Sequence, residues 1–481
     1  MICVSLRAEK AQDVLSQMET ARKLGADLVE IRADYLGDRG ELSTIIASKT
    51  LPVLLTLRSV EEGGRFEGTE EELFSSLEKA CAAGADWVDV EWRRYRPFSH
   101  GQSRIILSWH DPEKTPDDLL KTYEEMRKIP SDLVKIAVRV HGAEDFLRVL
   151  ALQKTARETS TVIAMGEYGE ALRILYSRLG SKMTFASLEK GAETAVGQLS
   201  VSELIKEYRV GTIDSETRLY GVVGNPVSHS RSPELFNQVF SHLHLNGRYL
   251  RIPLDKPEFF REVVSALDLR GVSITIPHKE SLVEKLDEVD PDVSQMGVVN
   301  TAVFREGRFW GYNTDAPGAV ESIREAAVRR WSHGLYGMKV LVLGAGGVAR
   351  SIAWGVMKEG ARVTIANRTL ERAKALSSDL RCDFVPWEQR GDVFPQVVVN
   401  GTRVGMEGEE SPFPRDRWRE DMIVFDAVYT PRWTTFLKEA KAVGAETVDG
   451  VSFFLRQANL QCRHFLGRTI PTELRRRFES V

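Results

Sequence analysis

In the first half of the 481-residue chain, charged and hydroxyl side chains recur on one face of short apolar runs. Leu133–Val140 sets Lys135, Ala137 and Arg139 against Val134, Ile136 and Val138, and Arg104–His110 sets Ser108 and His110 against Ile105, Leu107 and Trp109. Glu30, Arg32 and Asp34 alternate with Val29, Ile31 and Ala33, and Asp89 and Glu91 with Val88, Val90 and Trp92. A lysine amine shielded from water attacks a ketone to form an imine. A histidine close by, His110, transfers protons, with Glu62 near enough to orient its ring. The second half holds another pair, Lys279 and Asp315, each in a polar turn after an apolar run. A Lys/Asp pair is a proton relay suited to a carbonyl undergoing reduction. Any one of these charges taken alone is better read as a solvated strand end. Several strands sharing the pattern toward their C-terminal ends point to a site.

The groups of the first half need strands to hold them. Eight β-rich runs qualify: Ile2–Leu6, Leu28–Asp34, Pro52–Ser59, Trp87–Trp92, Arg104–His110, Leu133–Val140, Thr161–Glu167 and Lys182–Leu188. Helical patterns lie between most of them, at Ala11–Leu24, Glu70–Ala83, Pro116–Lys128, Ala143–Thr159 and Glu170–Leu179. This order predicts a (β/α)8 barrel over residues 1–209, closed by helical spacing at Ser200–Tyr208. The apolar strand faces must meet the helices, so the polar faces point inward. Residues 210–218, reading VGTIDSETR, lose all periodicity and form a short linker.

After the linker, Leu219–Gly224 is a strand followed by a turn dense in hydroxyls, Asn225–Pro233. Ser232 can cap the next helix with Pro233 at its first position. Three serines and a histidine exceed what a cap requires and suit a polyhydroxylated ligand. Farther on, VLVLGAGGVAR at Val340–Arg350 has the strand–turn–helix form of a dinucleotide site, in which glycines let the backbone approach a pyrophosphate. The next strand, Arg362–Ala366, ends in Asn367-Arg368-Thr369, where an NAD site would carry an acidic residue. Arg368 suits the 2′-phosphate of NADP instead.

Composition narrows the function classes. With 65 basic and 69 acidic residues and a formal net charge of -4, no basic face recommends nucleic acid or membrane as a partner. Cys3, Cys81, Cys382 and Cys462 lack metal-ligand spacing, so neither a metal site nor a disulfide framework is expected, and a cytoplasmic setting fits. The strand beginning at Ile2 leaves no room for a targeting segment, and no apolar run reaches membrane-spanning length.

The segments Glu30-Ile31-Arg32, Arg58–Gly64, Ser108-Trp109-His110-Asp111, Val134–Ala137, Tyr176-Ser177-Arg178 and Gly197-Gln198 occur in an order that resembles the type I 3-dehydroquinate dehydratases. The resemblance implies an imine between Lys135 and the C3 ketone of 3-dehydroquinate and removal of the C2 proton by His110. It also implies that Glu62 holds the imidazole, while Arg58, Arg178 and Gln198, with Glu30 and Arg32, position carboxylate and hydroxyls. Thr194 stands where serine is usual and keeps a hydroxyl in the late loop.

From Leu219 onward the chain resembles shikimate dehydrogenase. The matching motifs are Gly224–Pro233, Ser273–Glu280, Val299-Asn300-Thr301, Asn313-Thr314-Asp315, Gly344–Ala349, Asn367-Arg368-Thr369, Asn400-Gly401-Thr402, Asp426–Tyr429 and Gln457. This resemblance implies that Ser230 and Ser232 bind a carboxylate and that Thr275, Asn300, Asp315 and Gln457, with Tyr429, bind the rest of the substrate. Lys279 and Asp315 become the catalytic pair. Gly344, Ala345, Gly346, Gly347, Val348, Ala349, Asn367, Arg368, Thr369 and Thr402 would hold NADP(H). Ser273, Ala316-Pro317, Arg403 and Phe453 depart from the usual pattern without removing a proposed catalytic group. The expected fold is thus an N-terminal (β/α)8 barrel followed by a two-domain α/β dehydrogenase. Its substrate domain covers 219–318, completed by 453–481, and its Rossmann-type cofactor domain covers 319–452, with an interdomain cleft between them.

Together the two resemblances imply a bifunctional enzyme taking 3-dehydroquinate through 3-dehydroshikimate to shikimate. The alternatives are a ligand-sensing regulator built from degenerate copies of these folds, and a quinate dehydrogenase using NAD. Lys135, His110, Lys279 and Asp315 are intact, which argues against the first. Arg368 argues against the second.

Overall fold

Period-two alternation in the first half becomes a parallel eight-stranded sheet in the computed structural model, which describes residues 1–156 and 159–479. The strands are β1 (Ile2–Leu6), β2 (Leu28–Arg32), β3 (Val53–Thr56), β4 (Trp87–Glu91), β5 (Arg104–Asp111), β6 (Leu133–Arg139), β7 (Ser160–Met165) and β8 (Thr184–Ser187). Between them run α1 (Ala11–Leu24), α2 (Leu42–Ala47), α3 (Glu70–Ala82), α4 (Leu119–Met126), α5 (Ala143–Thr155) and α6 (Glu170–Ile174). Local chemistry sets the ends of these helices. Thr69 and Glu72 form a capping box at the start of α3, and α1 stops at Gly25, whose φ of 93° is left-handed. No α-helix joins β4 to β5; a short 3₁₀ turn, Trp92–Arg94, leads out of β4 instead. The helical pattern expected over Ala143–Thr159 holds to Thr155, and residues 157–158 lie outside the described residues.

Strand order is β7-β6-β5-β4-β3-β2-β1-β8, so the ladder is continuous except at the seam between β7 and β8. Arg173 of α6 spans that seam, donating from Nε to the Ala164 carbonyl (3.1 Å) and from Nη1 to that of Phe185 (3.5 Å). Register places Glu91, Ser108, Lys135 and Thr161 side by side on four successive strands. Lower in the barrel, Cys3, Leu28, Leu54, Ile106, Leu133 and Phe185 belong to one apolar cluster, so Lys135 stands two residues above a hydrophobic floor. Ser200–Tyr208 closes as a π-helical turn at Glu203–Glu207.

Two compact units can be distinguished, one of Met1–Val222 with Pro226–Asp268, the other of Val223–Asn225 with Leu269–Val481. The first therefore holds the barrel together with most of β9 (Arg218–Gly224), β10 (Gly247–Pro253), α7 (Ser232–His242) and α8 (Phe260–Ala266). Residues 210–218 are tied down rather than loose. Thr217 is buried, its hydroxyl donates to Asp214 or Asn246 (2.9 and 2.8 Å), and Arg248 Nε donates to the Tyr208 carbonyl (2.5 Å).

The second unit contains β11 (Leu269–Ile274), β12 (Glu288–Val289), β13 (Thr301–Arg305) and β14 (Arg308–Tyr312), adjacent in the order β11-β13-β14-β12. Helix α9 (Pro291–Met296) lies between β12 and β13, and α10 (Asp315–Trp331) follows β14. Next come β15 (Lys339–Leu343), β16 (Arg362–Asn367), β17 (Asp383–Pro386), β18 (Val397–Asn400), β19 (Ile423–Asp426) and β20 (Glu446–Val448). Their helices are α11 (Gly347–Lys358), α12 (Leu370–Leu380), α13 (Thr435–Ala442), α14 (Gly450–Leu466) and α15 (Thr472–Glu479). This last sheet is parallel, with order β17-β16-β15-β18-β19-β20. Both faces are covered: Val340, Val342, Val397 and Val399 join one apolar cluster, and Leu341, Leu343, Val398 and Val424 another. That is why these strands read as unbroken apolar runs. Among the described residues no helix is long and apolar enough to cross a membrane.

Candidate active sites

The barrel strands deliver Glu30, Arg32, His110 and Lys135, and the loops beyond them deliver Arg58, Glu62, Thr194 and Gln198, to one cavity of about 220 Å³. Lys135 Nζ lies 3.4 Å from Asp89 Oδ2, 3.6 Å from Glu30 Oε1 and 4.0 Å from the centre of the Phe185 ring. Two buried carboxylates therefore flank the amine. Burial opposes ionisation of Glu30, yet the charges of Lys135 and Arg32 and the hydroxyls of Ser5 and Thr56 outweigh it and bring that carboxyl down to about 2. Arg58 is committed to protein partners on several sides: Asp89 (2.7 Å), Glu62 (3.0 Å), Glu91 (3.2 Å) and the Ser108 hydroxyl (2.9 Å). Arg32 makes a two-point contact with Asp34, at 2.9 and 2.6 Å. Thr194 donates to Gln198 Oε1 through its N–H (2.8 Å).

Glu62 Oε2 is 2.9 Å from His110 Nδ1 and also accepts the His110 backbone N–H at 3.1 Å. The ring is thereby oriented from two points, with Nε2 the nitrogen not engaged by Glu62. Burial raises Glu62 to about 8, helped by Glu91 and Asp89 and opposed by Arg58. Burial, then the charges of Arg58, Lys135 and Arg32, pushes His110 well below an ordinary histidine. The pair is therefore neutral near pH 7 and gives up one proton as a unit when it becomes basic.

Arg178, expected at the ligand, does not line this cavity. Its Nη1 donates to the carbonyls of Asp214 (3.2 Å) and Thr217, and its Nη2 lies 3.5 Å from Asp268. Arg173 lines the cavity instead, with Nη2 buried and unpartnered. Arg173 lies on α6 and faces the barrel interior, whereas Arg178 lies past the end of that helix at Ile174. A signal was present, since Arg173 is an arginine inside the apolar run Ala171–Leu175. Burial pushes Arg173 down to about 10, which favours a carboxylate as its partner.

In the second unit, Lys279 and Asp315 meet at 2.6 Å, both largely buried. Asp315 opens α10, where the helix N-terminus favours a carboxylate, and Asn313 Oδ1 caps that end by accepting the Ala316 N–H (2.9 Å). Asn300 Nδ2 lies 2.8 Å from Asp315 Oδ1 and 2.9 Å from Thr314 Oγ1. Gln457 Oε1 is 3.4 Å from the Thr314 hydroxyl, so α14 returns to this cluster from far along the chain. Sequence reading did not single out Gln461, which donates to the Asn300 carbonyl (3.2 Å) and accepts from Ser273 (2.8 Å). The departure at Ser273 is thus used to hold α14. Thr275 donates its N–H to the Val223 carbonyl (2.9 Å). The Tyr429 ring packs 5.1 Å from Phe454, the residue whose carbonyl accepts from Gln457 Nε2 (2.9 Å). Ser230 and Ser232 lie in the first unit at the start of α7, with the Ser232 N–H donating to Ser230 Oγ (3.3 Å).

Sheet order reverses on either side of β15, and the glycine turn opens at that point, where an α/β sheet leaves a ligand crevice. Gly344 has a φ of 111°, and a Cβ on Gly347 would lie 2.9 Å from that of Lys279, so these two positions require glycine. A cavity of about 960 Å³ is lined by Gly344, Ala345, Gly346, Gly347, Asn367, Arg368 and Thr402, together with Lys279. Val348 and Ala349 are not on its wall: both pack into the core beneath. Thr369 precedes α12 and is exposed rather than lining. Arg350, Arg372 and Arg403 also line it, and Arg372 could have been anticipated as the residue one helical turn after Arg368. Backbone donors at a glycine turn and exposed guanidiniums on the wall fit a dinucleotide bearing an extra phosphate.

Residues 2–215 match the family model for type I 3-dehydroquinase, residues 222–302 that for the shikimate dehydrogenase substrate binding domain, and residues 325–390 that for shikimate / quinate 5-dehydrogenase. A bifunctional 3-dehydroquinate dehydratase/shikimate dehydrogenase from Arabidopsis thaliana, described as chloroplastic, is 36% identical over 98% of this chain and 83% of its own length. An NADP(+) shikimate dehydrogenase from Syntrophobacter fumaroxidans is 40% identical over 53% of this chain and 90% of its own. The solved shikimate dehydrogenase of Aquifex aeolicus superposes with a TM-score of 0.51 at 33% identity, covering 56% of this chain and 100% of its own. With both halves matched in this order, and the relative from Arabidopsis aligned along almost the whole length, the chain belongs to the family of bifunctional 3-dehydroquinate dehydratase/shikimate dehydrogenases.

Proposed function

We propose that the barrel dehydrates 3-dehydroquinate through an imine on Lys135 and that the second half reduces the resulting 3-dehydroshikimate to shikimate with NADPH. The observation carrying this reading is the convergence of Lys135 and the His110–Glu62 pair on one cavity, with a second Lys–Asp pair beside a glycine turn. Lys135 Nζ adds to the C3 ketone and water leaves. His110 takes the C2 proton while the iminium accepts the electron pair, and protonated His110 then returns a proton to the departing C1 hydroxyl. Hydrolysis of the imine restores Lys135, so the net change is loss of one water. Glu62 holds the ring. Glu30, Arg32, Gln198 and Thr194 orient the substrate hydroxyls, and Arg173, with its unpartnered Nη2, takes the carboxylate.

For the reductase, Ser230 and Ser232 take the substrate carboxylate, and Thr275, Asn300, Tyr429 and Gln457 the remainder. NADPH supplies the hydride when bound, held by the Gly344–Gly347 backbone, Thr402, Asn367 and Arg368. Lys279, oriented by Asp315, donates the proton that the new alkoxide needs. We assign the barrel to 1–209, the joining segment to 210–218, the substrate domain to 219–318 with 453–481, and the cofactor domain to 319–452. Four free thiols support a reducing, cytoplasmic setting. The deciding experiment offers the purified chain 3-dehydroquinate with NADPH. One NADPH should be consumed per shikimate formed, and a folded chain that oxidises none would overturn the reading.

Two further results are expected. The basic form of the His110–Glu62 pair requires loss of the proton that Glu62 holds up to about 8, so dehydratase kcat/KM should fall as pH drops through that value. In Glu62→Gln the histidine titrates alone, and the acidic limb should move below 6.5, the ordinary value from which His110 is lowered. A limb that stays in place would disprove the pairing. Arg368→Ala should weaken NADPH binding about 10–100-fold by fluorescence titration and leave NADH binding nearly unchanged, since a charge-assisted phosphate contact is worth roughly 1.5–3 kcal/mol. Equal losses for both nucleotides would reassign Arg368.

A further inference from the structure

One half-buried ionic cluster in the first unit lies outside both groups of proposed catalytic residues. Arg251, on β10, places Nη1 2.6 Å from the Tyr208 hydroxyl and 3.3 Å from Glu170 Oε1, with Glu207 Oε1 3.8 Å away. Its Nη2 donates to the Ser230 carbonyl at 3.2 Å. Tyr208, fully buried, donates to the same Glu170 oxygen at 3.0 Å. Glu170 opens α6, the helix that carries Arg173 into the dehydratase cavity, so one guanidinium joins a barrel helix to the loop ahead of α7. Ion pairs, exposed or buried, return little net stability, which makes a positional role the better explanation for this one.

We propose that Arg251 is a positioning residue for the dehydrogenase reaction. Anchored on Glu170 and Tyr208, it fixes the peptide plane that follows Ser230 and so sets the directions of the Ser230 and Ser232 hydroxyls. The inference rests on the reading that these hydroxyls bind the substrate carboxylate. Around the two serines the loop makes short-range bonds, from the Ser230 N–H to the Val227 carbonyl (3.0 Å) and from the Ser232 N–H to Ser230 Oγ (3.3 Å). The Arg251 contact refers the Ser230 carbonyl to the barrel helix through Glu170. A guanidinium can reach the phenol and carboxylate with one nitrogen and the carbonyl with the other. A lysine has a single nitrogen and cannot serve both sides.

The test measures shikimate oxidation and 3-dehydroquinate dehydration in the full chain for Arg251→Lys, Arg251→Met and Ser230→Ala. Arg251→Lys should keep the positive charge beside Glu170 and the melting temperature, yet raise the KM for shikimate about tenfold, the loss of one modest hydrogen bond. Its kcat, KM for NADP and dehydratase rate should stay within about twofold. Arg251→Met should show at least the same KM rise. If Ser230→Ala raises KM while neither Arg251 variant does, the brace is wrong and the carboxylate reading stands. If Ser230→Ala leaves KM unaltered, the carboxylate reading fails and the brace with it. A joint decline of kcat, NADP affinity and melting temperature in Arg251→Lys would show a merely structural role and overturn the proposal.

Discussion

Replacing Lys135 by alanine is expected to lower dehydration of 3-dehydroquinate by about four orders of magnitude or more, while reduction of 3-dehydroshikimate continues at nearly the parent rate. Among the described residues no other amine lines this cavity as an electron sink; its remaining basic groups are arginines and His110. The variant should still fold. Glu30 keeps the hydroxyls of Ser5 and Thr56, and Asp89 keeps Arg58 and Ser108, so neither carboxylate is left without a donor. The retained reductase rate reports that folding directly. Borohydride added with substrate should leave a stable adduct on Lys135 in the parent and none in the variant. Trapping that persists in Lys135→Ala would move the nucleophile elsewhere.

The complementary expectation concerns Lys279→Met. Loss of a positioned proton donor costs about 10²–10⁴-fold, and that factor should appear in reductase kcat while the barrel's activity is kept. Methionine preserves the length of the stem that packs against Gly347, so the glycine turn should keep its shape. Asp315 would retain the Asn300 amide at 2.8 Å and the start of α10. Substrate KM should therefore change much less than kcat. A KM rise with kcat intact would make Lys279 a binding group rather than the proton donor. Neither substitution should spread to the other reaction, and a chain that lost both activities in either variant would have to be treated as misfolded.

Much of this was legible from residue order because the relevant patterns are local. Alternation in Leu133–Val140 and Arg104–His110 placed Lys135 and His110 on the inner face, since successive residues of a strand must point to opposite sides. The turn at Gly344–Gly347 and the arginine ending β16 were readable for the same reason: strand, turn and helix there are contiguous. The missing helix between β4 and β5 was less evident, because a barrel rule fills in what a particular loop omits.

By itself, then, the amino-acid sequence determined the class of each half, the strands that carry the chemistry and the side of each strand on which the reactive groups stand. Tertiary structure decided which distant groups meet. It put Asp89 and Glu30 on either side of Lys135, brought Gln457 back to Thr314 and Gln461 to Asn300, turned Arg173 rather than Arg178 into the dehydratase cavity, and tied the Ser230 loop to Glu170 through Arg251. Periodicity states which way a side chain points within its own element. The neighbour it finds depends on strand register and on the rotation of each helix about its axis, which are settled by packing between segments far apart in the chain.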